Sequence, residues 1–295
     1  MSKFKGMFSQ SGVLSKLLML IGFSSFFTVF GMIIWNIITH GNTADIGSLK
    51  VLLLVQSIGM FIIPPIMLAY ICSNKMKKFL YFEKKINWTD ITLVILFMIV
   101  IIPFINLLGD LNQKMVLPKA FAGLENMMKA SEVQAANFTE KLLNVHKISA
   151  LLFNIFLIAM IPALGEEFFF RGALQGIIQQ KFNLKGTIWI TAIIFSTIHF
   201  QFYGFLPRML IGAFFGYLLV WSENMWLPIV AHFTNNVLAV IFYYLKNNGY
   251  KLPDIDTIGT GNSTLLGCAS AIFAILGFYI LKRYFQHKNG MILKT

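Results

Sequence analysis

The chain is 295 residues long, 57% hydrophobic and only 12% charged, with a mean hydropathy of +0.72. A soluble domain carries about 25% charged residues, so half that density leaves too little polar surface to coat a globule in water, and most soluble folds are excluded. The net charge of +12 would suggest nucleic acid in a soluble protein, but here its meaning depends on where it falls relative to the apolar runs.

A helix that crosses the hydrocarbon core needs about 20 mostly apolar residues. Runs of this kind lie, in sequence order, near 13–38, 49–73, 89–109, 147–170, 187–201, 204–222, 226–245 and 263–284. They predict an all-α, polytopic membrane bundle of about eight transmembrane helices. The first run is far longer than the apolar core of a signal peptide and has no small-residue cleavage site, so it is expected to remain in the mature protein. Cys72 and Cys268 both sit in apolar runs, and no disulfide framework or metal-thiolate cluster follows from them.

With eight spans both termini share a side. That side holds fourteen of the basic residues, from Lys3 and Lys5 through the 75–85 cluster to Lys282, Arg283, Lys288 and Lys294, while the short loops opposite hold Lys50, Arg208, Lys246 and Lys251. The bias predicts cytoplasmic termini. The basic excess is therefore a topology signal, compatible with anionic headgroups, and no nucleic-acid partner is expected. The C-terminal Met291–Thr295 carries no lipidation motif.

The sequence divides into an N-terminal part (1–146), a core (147–245) and a C-terminal helix with a basic tail (246–295). The long polar connection 110–146 closes the first part, and the spacing of Leu124, Met127, Met128 and Ser131 in it predicts an amphipathic helix at the interface, either a cap or gate or a solvated linker helix. In the sixth run, Gly212 and Gly216 form a small-xxx-small pair suited to close helix packing.

Ionisable groups inside spans are costly, on the order of 2.5–3.5 kcal/mol each on insertion scales, and are functional-site hypotheses by default. They cluster between 166 and 236: Glu166, Glu167 and Arg171 at the end of the fourth run, His199 at the end of the fifth, and His232, Asn235 and Asn236 in the seventh. Glu167 and Arg171 stand at i and i+4, so they can pair on one helix face, leaving Glu166 turned about 100° away as a free carboxylate. A free carboxylate in a partly dry site suits a general base. Phe195 precedes His199 by one turn. His232 and Asn236 are again one turn apart, a donor pair able to hold an oxyanion. Each unit alone equally describes an ion pair or helix-to-helix hydrogen bonding; together they form a constellation able to activate water. Neither a His-Glu-x-x-His zinc helix nor a Gly-x-Ser-x-Gly elbow is present.

Glu166-Glu167-x-x-x-Arg171, Phe195-x-x-x-His199 and His232-x-x-x-Asn236, in that order, resemble the CPBP family of intramembrane proteases. It includes type II CAAX prenyl endopeptidases and proteins similar to lysostaphin resistance protein A and the bacteriocin self-immunity (Abi) proteins. The resemblance covers roughly 147–245. It implies that Glu166 and His199 hold the attacking water, that His232 and Asn236 form the oxyanion hole, and that Glu167 and Arg171 support them. It leaves metal dependence open: no cofactor is required on the preferred reading, and zinc through Glu166, His199 and His232 is the alternative. The function expected is an intramembrane endopeptidase acting on a membrane-associated peptide or protein. A non-catalytic immunity or partner protein of the same family, and a proton-relaying transporter, are the competing readings. With 21 Lys against 3 Arg, the composition suggests an AT-rich genome and a bacterial inner membrane.

Overall fold

Prolines and short polar caps decide where these apolar segments start and bend. The computed structural model describes residues 4–290, so Lys3, Lys294 and Met291–Thr295 lie outside the described residues. Within them all regular structure is helical: α1 (Val13–Thr39), α2 (Ile46–Cys72), α3 (Trp88–Val100), α4 (Ile102–Gln113), α5 (Ala122–Leu143), α6 (Ile148–Ile178), α7 (Leu184–Thr197), α8 (Phe205–Ser222), α9 (Trp226–Asn247) and α10 (Thr264–Lys288). Side chains of Asp45, Asn87 and Asn183 accept the orphan backbone N–H groups of Ser48, Thr89 and Gly186, starting α2, α3 and α7.

A proline lacks the N–H donor and crowds the carbonyl four residues back. Accordingly Pro64 and Pro65 follow a π-helical turn at Ile58–Ile62, and Pro162 follows one at Ile155–Met160. Pro103 opens α4 directly after the break that bends it 42° from α3. A second π segment in α6, Phe168–Leu174, has no proline and begins at the residue after Glu167.

Six helices are long and apolar enough to span a bilayer, namely α1, α2, α6, α8, α9 and α10, and the bent pair α3–α4 makes a seventh. The count of about eight is thus approximate. The run at 187–201 becomes α7, whose 14 residues cover about 21 Å at 1.5 Å per residue, short of a hydrocarbon core of about 30 Å. In the most apolar stretches of α1 and α10 only 17% of residues are buried within the protein. Leu14, Ile21 and Phe26 of α1 and Leu265, Ile272 and Ile275 of α10 face outward. Apolar faces that broad need lipid as their solvent, and the molecule is an integral membrane protein.

Two expectations are corrected. The fourth run does not end at its charges: α6 continues through them to Ile178, because Glu167 and Arg171 neutralise each other, both fully buried. The helix in 110–146 forms as α5, but its register is turned. Glu125 faces inward, accepting a hydrogen bond from the Leu117 backbone N–H at 3.3 Å and lying 2.7 Å from Lys129, while Leu124 and Met127 are exposed.

Two apolar cores flank the centre. One joins Val94 and Met98 of α3, Phe215 and Leu218 of α8, Leu227 of α9 and Phe285 of α10. The other joins Leu20 of α1, Leu68 of α2, Phe170 and Ile177 of α6 and Phe195 of α7. Asp90 at the start of α3 binds Lys288 at 2.6 Å and the Tyr284 hydroxyl at 2.9 Å, tying α3 to the end of α10.

Candidate active site

The polar residues sit at the seam between these cores. Arg171 on α6 donates from Nη1 to Glu167 Oε1 at 2.7 Å and from Nη2 to the Gly212 carbonyl of α8 at 2.8 Å. One turn on, Gln175 donates to the Gly216 carbonyl at 3.4 Å. The helices need glycine to come this close: a Cβ at 212 would lie 2.9 Å from Phe195 Cδ1, and one at 216 would lie 2.9 Å from Gln175 Oε1. The small-residue pair therefore packs within the molecule, as its spacing predicts.

His232 of α9 reaches the same carboxylate. Its Nδ1 lies 2.8 Å from Glu167 Oε1, and its ring stacks on Phe215 at 5.3 Å and meets Phe195 edge-on at 6.0 Å. The Arg171 guanidinium lies 4.8 Å from the centre of the Phe195 ring and 5.3 Å from that of Phe215, so aromatic faces as well as Glu167 offset its charge.

Glu166 has a different environment. Its Oε2 is buried and makes no hydrogen bond to a protein group, and two imidazole Nε2 atoms, from His199 and His232, each stand 3.9 Å away. That separation exceeds a direct hydrogen bond but suits a shared small polar group. His199 Nδ1 lies 2.7 Å from the Phe195 carbonyl. A carbonyl only accepts, so Nδ1 carries the proton, and Nε2 of the neutral ring is an acceptor facing Glu166.

Glu166, His199, His232, Asn235 and Asn236 all line one cavity of about 590 Å³. Asn235 donates to Asn236 Oδ1 at 3.3 Å, which leaves the Asn236 Nδ2 donors free. The six residues to which the resemblance gives roles thus fall in or directly against one site. Ser196 is not part of it, its hydroxyl being spent on the Phe205 carbonyl at 2.8 Å. Among the described residues no three His, Cys, Asp or Glu side chains are grouped to hold a metal ion.

Two residues at the site escape a reading by motif. Arg208, counted above as a loop residue, lies in the first turn of α8 and lines the cavity. Its signal is its rarity as one of three arginines in the sequence. Asn112, at the end of α4 and 1% exposed, accepts from Leu206 N at 2.7 Å and donates to Phe202 O at 3.0 Å, so it pins the turn that follows His199. Nothing in its sequence neighbourhood marks it.

The comparisons with known proteins fall on this region. Residues 148–238 match the family described as type II CAAX prenyl endopeptidase, Rce1-like. The core is thus similar to that family, in agreement with the CPBP-like motifs it carries. Over 103 residues the protein is 28% identical to the Bacillus subtilis (strain 168) protein named "Putative membrane peptidase YdiL". That alignment spans 35% of the sequence described here and 41% of the relative, so it takes in about two fifths of the length of the curated protein it matches. No solved structure matches. The matched segment coincides with α6 to α9, the helices that carry the carboxylates, imidazoles and amides of the cavity.

Proposed function

We propose that this protein is an intramembrane endopeptidase that hydrolyses a peptide bond of a membrane-associated substrate with a water activated by Glu166 and His199. The observation that carries this reading is the convergence of both imidazole Nε2 atoms on the unpartnered Glu166 Oε2, at 3.9 Å each. A water there donates one hydrogen to Glu166 Oε2 and the other to His199 Nε2, an acceptor because Nδ1–H is committed to the Phe195 carbonyl. Glu166 takes the proton as the water oxygen attacks the scissile carbonyl. The tetrahedral oxyanion is held by Asn236 Nδ2 and by His232 Nε2. With its Nδ1–H given to Glu167, His232 faces the oxyanion through Nε2 and serves as a donor there when that nitrogen carries a proton. Glu166 then returns its proton to the leaving amine, and the C–N bond breaks.

Glu167 and Arg171 touch no substrate on this account. They orient His232 and lock α6 to α8. The walls of the cavity exclude bulk water, which strengthens every contact inside it. The zinc alternative through Glu166, His199 and His232 is not used in any step above and is separated from it by the response of cleavage to a chelator. The basic residues flanking α1, α2 and α10 support cytoplasmic termini, an orientation that requires the short α7 to cross as well as the six long helices and the bent pair, and the composition supports a bacterial inner membrane.

The test is cleavage of a library of membrane-tethered and prenylated peptides by the purified protein in lipid, with products identified by mass spectrometry. Cleavage by wild type and a loss of at least about 100-fold in Glu166→Ala and His199→Ala, with all three proteins eluting alike, supports the proposal. Normal turnover by either variant contradicts it.

A further inference from the structure

The cavity holds a cation that the chemistry above leaves unused. Arg208 donates from Nη2 to Gln201 Oε1 at 2.6 Å and from Nη1 to the Gln201 carbonyl at 3.4 Å. A guanidinium has five N–H donors, so three remain. Among the described residues no carboxylate lies within 4.0 Å of it, whereas Arg171 is paired with Glu167 at 2.7 Å. Glu132 and Glu166 act on it through space without contact. The backbone makes way for it as well: a Cβ at Gly204 would come within 3.0 Å of Nη2.

The cavity that Arg208 faces is lined by Ile101, Ile105, Ile211 and Leu238 beside the carboxylates of Glu166 and Asp256, neither of which contacts the guanidinium, so a ligand carboxylate entering it finds the N–H donors unspent. The arginine fork matches a carboxylate with two parallel hydrogen bonds, which a lysine cannot do. We propose that Arg208 is a specificity residue that binds a carboxylate of the substrate, so that the protein selects peptides with an anionic group close to the scissile bond. The carboxylate is either the free C-terminus of the substrate or an Asp or Glu side group within it. This rests on the peptidase reading for its place in catalysis, but its binding step can be measured without turnover.

The experiment uses the full-length protein in lipid nanodiscs, in the Glu166→Gln background, and three fluorescein-labelled apolar nonapeptides: one ending in a carboxylate, one in a carboxamide, and one carboxamide with a single internal Glu. Anisotropy reads their affinities. One of the two anionic peptides binds about tenfold more tightly than the neutral one, and which of them does so names the source. Adding Arg208→Gln erases the difference, and Arg208→Lys keeps part of it. Gly204→Val, which crowds the fork while Arg208 stays in place, also reduces the preference and serves should Arg208→Gln fold poorly. Equal binding of the three peptides, binding of none, or a preference that survives Arg208→Gln overturns the proposal. Cleavage by wild type with no charge preference would sink the Arg208 assignment alone. An Arg208-dependent preference without any cleavage would sink the peptidase reading alone.

Discussion

Glu167 Oε1 is shared by two nitrogens from different helices, Arg171 Nη1 at 2.7 Å and His232 Nδ1 at 2.8 Å. One carboxylate oxygen thus neutralises a fully buried guanidinium and fixes the tautomer of an imidazole, joining the stability of the bundle to the geometry of the site. Removing one partner of a buried pair leaves the other charge uncompensated, at a cost of about 3–5 kcal/mol. Glu167→Ala should therefore lower stability by that order and activity with it. Thermal unfolding in detergent checks the first effect. A variant as stable as wild type would show that Phe195 and Phe215 alone suffice for Arg171.

Gly212 is the point where α8 touches both Arg171 and Phe195. A methyl group there would lie 2.9 Å from Phe195 Cδ1 and must displace it, and Phe195 supplies the carbonyl that orients His199. Overpacking of this kind costs about 1–3 kcal/mol. Gly212→Ala should lose stability in that range and lower kcat more than KM. Gly22, whose Cβ would meet nothing within 4 Å, is the control, and Gly22→Ala should leave both unchanged.

Asn112 fastens the turn between His199 and Arg208 by two hydrogen bonds to its backbone. Asn112→Ala leaves the part-buried Leu206 N–H and Phe202 carbonyl without their partner, costing on the order of 1 kcal/mol. The expected signature is faster hydrogen exchange confined to residues 199–206. Uniform exchange across the bundle would instead make Asn112 a general packing residue.

The tie between α5 and the rest of the molecule should depend on pH. The Lys129 ammonium first, then the Leu117 amide and the Tyr203 hydroxyl, hold the Glu125 carboxyl below the usual carboxylate range. A depressed folded pKa adds stability that is complete above the unfolded value of about 4.3 and is lost as pH falls through the folded one. Proteolysis of the 114–125 segment should therefore rise below about pH 4 in wild type. Glu125→Gln should show the higher susceptibility at every pH. A wild-type profile flat down to about pH 3 would mean that the contact contributes nothing.

The sequence carried the membrane class and the six polar residues because both depend on local spacing: long apolar runs reveal spans, and i, i+4 pairs reveal shared faces. It did not carry the path of α6 through Glu167 and Arg171, since whether a buried charge ends a helix depends on partners supplied by α8 and α9. The register of α5 was hidden for the same reason, because the Leu117 amide that draws Glu125 inward outweighs the outward-facing Leu124 and Met127. Arg208 and Asn112 were illegible as site residues: one is placed by the fold of the 199–206 turn, the other acts through backbone atoms 90 or more residues away.

The measurement that bears most directly on the central claim is the cleavage rate of a substrate found by the library screen, for wild type and for Glu166→Gln, each with and without a zinc chelator. A carboxamide keeps the size of Glu166 but cannot take a proton. The account predicts cleavage by wild type that persists with chelator and is lost in Glu166→Gln. Cleavage retained by Glu166→Gln would contradict it, and loss of the wild-type activity on chelation would replace the glutamate-activated water with a metal-bound one.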